Sequence, residues 1–155
     1  MVGFDIFDVA AAQALLASDP ANDKEEMNKI FVRVPQDDLT LRSVHERLKE
    51  MKLTTSFLLV DGDVEYSLPN FLKENPGFMI SLLYIDVDIE RPTYFALKYL
   101  WDRIVPGGVI VFDEYEYHKF SESRGVTKFL KELDLPFDVK TTHFVSPTAF
   151  MFKKS

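Results

Sequence analysis

Met79-Ile80-Ser81-Leu82-Leu83-Tyr84-Ile85-Asp86-Val87-Asp88, followed after one helix by Val109-Ile110-Val111-Phe112-Asp113-Glu114, sets the architecture. Each stretch is a nearly continuous apolar run that ends in acids. Such runs read as parallel strands buried on both faces. Between them, Pro92 stands where a first helical residue belongs. Leu97, Leu100, Trp101 and Ile104 then repeat at i, i+3, i+4 and i+7. Pro106-Gly107-Gly108 breaks that helix and turns the chain into the second strand.

Working outward, Val2 to Phe7 reads as a buried strand and Ala10 to Ala17 as a short helix. Ser18 to Lys29 is polar and reads as a mobile surface segment. Ile30 to Val34 reads as a short strand limited by Pro35. Leu41, Val44, Leu48 and Met51 share one helical face, with Asp38 or Thr40 as its cap. Ser56 to Asp61 is a strand, and Leu68 to Glu74 a helix stopped near Pro76-Gly77. Val126, Phe129, Leu130 and Leu133 mark a further amphipathic helix. Phe137 to Thr142 and Ala149 to Lys153 read as closing strands around a turn at Ser146-Pro147. This alternation predicts an α/β fold with a mostly parallel sheet and an antiparallel C-terminal strand pair, in one domain spanning residues 1–155.

Composition narrows the function classes. The chain has 155 residues, 46% of them hydrophobic and 14 of them Phe, enough for a sizeable core. A formal charge of −7 without a basic block argues against nucleic-acid binding. The absence of Cys excludes disulfides, thiolate metal sites and a catalytic thiol. The longest uncharged apolar run, Phe78 to Ile85, is too short to span a membrane. Asp5 and Asp8 stand where a secretory signal would be basic, so a cytoplasmic protein is expected.

The acids at strand ends carry the chemistry. Asp5 and Asp8 follow the first strand, Asp61 and Asp63 the next, then Asp86 and Asp88, then Asp113 and Glu114. Ligands of open α/β sheets bind beyond the carboxyl ends of the strands. Residues two apart on a strand share a face, which puts Asp86 and Asp88 about 7 Å apart on one side. If the two apolar strands are neighbours, four carboxylates converge, and repulsion drives a proton onto one unless a cation intervenes. Oxygen ligands alone favour Mg²⁺ or Ca²⁺. Single strand-end acids are otherwise ordinary solvated loop residues. His45 reads as a boundary residue of its helix. His118 and His143 sit in loops, and Tyr115 to Arg124 is the expected acceptor loop.

The block from Leu82 to Thr93, with Ala96-Leu97 and Val105 to Tyr115, resembles the macrocin O-methyltransferase family. Gly62-Asp63-Val64, Ser67-Leu68-Pro69 and Gly3-Phe4-Asp5-Ile6-Phe7 extend the resemblance over nearly the whole chain. It implies a Rossmann-like class I methyltransferase sheet, S-adenosylmethionine as methyl donor, Mg²⁺, and a hydroxylated small-molecule acceptor such as a sugar. It further implies Asp86, Asp113 and Glu114 as metal ligands and Asp88 as general base. Asp5 would meet the cofactor ribose and Asp63 the adenine amino group.

The family's first strand and Gly-rich loop have no counterpart here. The six Gly, at 3, 62, 77, 107, 108 and 125, form no such loop. An N-terminally truncated domain is therefore expected: a fragment, a repacked sheet, or a homo-oligomer that shares a strand. Two other readings stay open. One is a noncatalytic binding or scaffold module. The other is a Mg²⁺-dependent phosphatase or sugar transferase using the Asp86-x-Asp88 pair.

Overall fold

The computed structural model describes residues 1–16, 21–53, 56–136, 138–142 and 148–154. The chain divides into two compact units, Met1–Ser67 and Leu68–Ser155.

In the first unit, β1 (Val2–Asp5) pairs in parallel with β2 (Leu58–Asp61), which sets Asp5 beside Asp61 at the carboxyl ends. The segment between them is helical: α1 (Val9–Leu15), α2 (Ala21–Arg33) and α3 (Leu41–Glu50). Asp8 caps α1 by accepting the Ala11 amide at 3.0 Å. Of the two expected caps for α3, Thr40 is the one used, accepting the Ser43 amide at 3.2 Å. Helix α2 corrects two expectations. Residues 21–29 are not an irregular segment, and Ile30 to Val34 is not a strand. Charge pairing supports this helix: the Lys29 ammonium lies 2.8 Å from both Glu25 and Glu26. Its apolar triplet is not a buried strand either, since Val32 is 85% exposed.

Helix α4 (Val64–Glu74) crosses the division between the units. In the second unit, β3 (Ile80–Ile85), β4 (Ile104–Phe112), β5 (Lys140–Thr141) and β6 (Ala149–Phe152) form a sheet of order β3-β4-β6-β5. The apolar strands are neighbours as expected: β3 runs parallel to β4, with Leu83 opposite Ile110 and Ile85 opposite Phe112. The closing strands are antiparallel, β6 to both β4 and β5. The sheet is therefore mixed, parallel at β3–β4 and antiparallel at its C-terminal strands as expected. The turn expected at Ser146-Pro147, Phe137 and His143 lie outside the described residues.

Helices α5 (Glu90–Leu100) and α6 (Glu122–Glu132) follow β3 and β4. One face of the sheet is buried, with Ile85, Ile110, Phe112, Ala149 and Met151 almost fully covered. The other leaves Leu82 61% and Tyr84 54% exposed, so β3 is not buried on both faces as its sequence suggested. Helix α5 ends earlier than its periodicity implied. A 3-10 turn over Trp101–Arg103 follows Leu100, and Ile104 already belongs to β4. Pro106-Gly107-Gly108 lies within β4, not in a turn before it. The register with β3 shifts there, and Gly107 takes φ +79. Antiparallel bonds to β6's end hold the bulge: the Gly107 amide reaches the Lys153 carbonyl, and the Lys153 amide the Gly108 carbonyl, both at 2.9 Å.

Candidate active site

The second unit gathers acids at the carboxyl ends of β3 and β4. The Asp113 amide donates to the Ile85 carbonyl at 3.1 Å, which ties the end of β4 to that of β3. Asp86 and Asp88 lie past the end of β3, so strand alternation does not govern them. Asp88 instead takes φ +60, the left-handed region. Asp tolerates that region better than most residues because its short polar side chain bonds locally. In this conformation the Asp88 carbonyl accepts the amides of both Ser121 and Glu122 at 3.1 Å. The Ser121 hydroxyl accepts the Glu90 amide at 2.8 Å. The loop after β3 and the start of α6 are thus bound together at two points.

Glu122, the first residue of α6, is fully buried at 0% exposure. Neither of its carboxyl oxygens has a hydrogen-bond partner. The Glu114 amide faces this carboxyl without closing a hydrogen bond. Burial, then the charges of Asp88, Asp86 and Asp113, push the Glu122 carboxyl up to about 8. Glu114 is raised above the usual carboxylate range by burial, Asp113 and Asp86, and its Oε2 is also buried without a partner. The strand-end acids thus bear on one another, and the group they help raise to about 8 is Glu122, outside the expected four. Sequence reasoning missed it. The signal was present: Glu122 stands four residues before Val126, on the stripe that carries Val126, Phe129 and Leu130 into the core.

Asp113 accepts a short hydrogen bond from the Tyr84 hydroxyl. This bond, burial and the Asp113 charge raise the Tyr84 phenol well above its usual range. As the side chains stand, no three His, Asp or Glu among the described residues are gathered closely enough to hold a metal ion. The donors nonetheless suit a hard cation in kind. They are all carboxylates, and three buried oxygens, on Glu114 and Glu122, have no protein partner. After Glu114 the chain turns twice, with the Tyr117 amide on the Glu114 carbonyl and the Phe120 amide on the Tyr117 carbonyl. His118 is exposed on this loop, its ring edge-on to Tyr117.

The remaining expected site residues belong to the first unit. Asp5 accepts the Ile6 amide at 2.7 Å, and its carbonyl accepts the Gly62 amide at 2.9 Å. Crowding of its carboxyl by the protein, assisted by the Asp61 charge, raises its pKa against the pull of the Ile6 amide. Asp63 starts α4 and accepts the Glu65 amide at 3.0 Å. Gly62 reaches φ +114, a conformation that favours glycine. His45 packs edge-on against Phe57 at 5.3 Å, a packing role in line with its expected place at a helix boundary.

Residues 4–147 match the family described as Macrocin-O-methyltransferase (TylF). The chain belongs to this family. No curated protein matches it. Among solved structures, this TylF-family chain is similar to the O-methyltransferase NovP, with a TM-score of 0.78 and 16% identity, over 99% of this chain and 60% of that one. It is also similar to CalS11 in its apo form, described as a TDP-rhamnose 3'-O-methyltransferase of calicheamicin biosynthesis. That match has a TM-score of 0.64 and 25% identity, over 97% of this chain and 57% of that one. A second CalS11 structure gives a TM-score of 0.67 at 23% identity, over 97% and 59%. The TylF-family chain thus spans less than two thirds of the length of these structures. Among the described residues, no helix is long and apolar enough to cross a membrane.

Proposed function

We propose that this chain serves S-adenosylmethionine-dependent, Mg²⁺-assisted O-methyl transfer to a hydroxyl of a small molecule, a sugar or a similar acceptor. One observation carries the reading: a TylF-family chain carries Asp86 and Asp88 just past the end of β3, Asp113 and Glu114 just past the end of the parallel β4, and a buried Glu122 at the start of α6. The printed substrate of CalS11, a nucleotide-linked sugar, supports a sugar hydroxyl as acceptor.

In this reading Asp86, Asp113 and Glu114 hold the cation. Asp88 takes the proton from the acceptor hydroxyl as its oxygen attacks the methyl group. Its left-handed backbone and the two amides on its carbonyl fix where that carboxylate begins. Asp5 and Asp63 bind the ribose hydroxyls and the adenine amino group. When bound, the sulfonium supplies the methyl group, and the cation orients the acceptor and lowers its hydroxyl pKa.

A second reading keeps the fold without the chemistry. It is favoured by the glycines, none of which forms a Gly-rich loop for the cofactor. Calorimetric titration with S-adenosylmethionine, S-adenosylhomocysteine and Mg²⁺, alongside a labelled-methyl assay on nucleotide sugars, separates the two. Binding and transfer are expected. Absence of heat with either cofactor form would leave a binding or scaffold module.

A further inference from the structure

We infer that Glu122 is a further ligand of the divalent cation, reaching the strand-end carboxylates from the start of α6. The inference rests on the cation reading above and adds a residue that the family resemblance does not supply.

Glu122 is fully buried, and both its oxygens lack a partner. Leaving a buried polar group unsatisfied is destabilising, and more so for a charged one. Protonation would remove the charge and still leave an O–H in need of an acceptor. The charges that raise Glu122 are those of Asp88, Asp86 and Asp113, all acids. A carboxyl that looks onto other carboxylates is satisfied by a cation. An all-oxygen set selects a hard one.

The Glu122 amide is held on the Asp88 carbonyl, and Ser121 is held from both sides by Asp88 and Glu90. The root of the side chain is thus fixed against the Asp86–Asp88 loop. The orphaned Oε2 of Glu114 gives the same cluster a second unmet acceptor. Two side chains on different elements, β4's end and α6's start, therefore present unpartnered oxygens among the acids that the resemblance assigns to the metal.

The alternative is a neutral glutamic acid kept for packing, and Glu122→Gln distinguishes the two. It preserves shape and neutrality and removes the anionic donor. Mg²⁺ is titrated calorimetrically into the wild type, Glu122→Gln, Glu122→Asp and Asp86→Asn. Mn²⁺ binding is followed in parallel by electron paramagnetic resonance. The expected result is one site in the wild type, weakened at least tenfold in Glu122→Gln and in Asp86→Asn. Wild-type affinity in Glu122→Gln, with Asp86→Asn weakened, overturns the inference and leaves the cation reading standing. Absence of binding in the wild type overturns both. If Glu122→Gln does not fold, Glu122→Asp decides: the shortened carboxylate is expected to lose affinity, and an unchanged value overturns the inference.

Discussion

The amide of Glu122 donates to the carbonyl of Asp88 at 3.1 Å, joining the buried first residue of α6 to the left-handed residue in the loop after β3. This bond depends on the backbone of Asp88 rather than on its carboxylate. Conformation and chemistry can therefore be separated by substitution. Asn tolerates the left-handed region about as well as Asp. Asp88→Asn is expected to keep the wild-type melting temperature within about 1–2 °C. Loss of a general base is expected to lower methyl transfer by about 10²–10⁴-fold. Asp88→Val keeps neither property: a β-branched residue at positive φ costs on the order of 1–3 kcal/mol. Chemical denaturation of both variants, with a labelled-methyl assay, checks the pair. A transfer rate in Asp88→Asn equal to that of the wild type would remove Asp88 as the base.

The raised Glu122 carboxyl gives a pH dependence with a definite sign. Its folded value of about 8 lies above the ordinary 4.5. Between these values the folded state holds a proton that the unfolded chain has released, so stability falls as pH rises across that window. Below about 4.5 this group has no effect, and above about 8 its full cost is present. In a chelator-containing buffer, the melting temperature is expected to drop between pH 5 and pH 8. Glu122→Gln is expected to recover at least about 5 °C at pH 8 and little at pH 5. Parallel curves for the two proteins would show that Glu122 does not titrate in this window.

What could be read from the sequence follows from how each signal arises. The β3–β4 pair and its acids were legible because long apolar runs and strand-end Asp residues are local patterns. Exposure of Leu82 and Tyr84 was not, because an apolar run does not reveal whether a second layer covers it. Helix α2 was hidden because charge pairs such as Lys29 with Glu25 and Glu26 support it in place of an apolar stripe. Ile30-Phe31-Val32 then imitates a strand. Pro106-Gly107-Gly108 has the composition of a turn, and its place inside β4 depends on pairing with the distant Lys153. Asp86 and Asp113 were legible as strand-end acids. Glu122 was not, because its significance comes from the groups around it rather than from its neighbours in the chain.

Gly125 marks a close approach of α6 to α5. A Cβ there would lie 2.4 Å from the Glu90 carbonyl oxygen, 2.9 Å from the Thr93 Cβ and 3.0 Å from the Tyr94 amide nitrogen. Two of these three atoms are backbone, so a rotamer change would not relieve them. Ala ordinarily improves a helix interior by about 0.5–1 kcal/mol over Gly. Here the overlap is expected to win, with Gly125→Ala destabilised by about 1–3 kcal/mol in urea denaturation. Because α6 carries Glu122, the same variant should also weaken Mg²⁺ binding. A variant as stable as the wild type would mean that the helices separate without cost.

Tyr84 reports on Asp113 without any assay of activity. Its hydroxyl donates to the Asp113 carboxylate, and that bond is the first cause of its raised phenol pKa, ahead of burial and the Asp113 charge. The carboxylate stabilises the protonated phenol and opposes the phenolate. Asp113→Asn removes the negative charge and keeps the size of the side chain. Tyr84 is then expected to ionise at least about one pH unit lower than in the wild type, since one unit corresponds to about 1.4 kcal/mol and a hydrogen bond to a charged group is worth about 1.5–3 kcal/mol. Tyrosine labelled with ¹³C at Cζ, assigned through Tyr84→Phe, gives the titration directly. The same ionisation point in both proteins would show that the phenol and the carboxylate are not joined in solution.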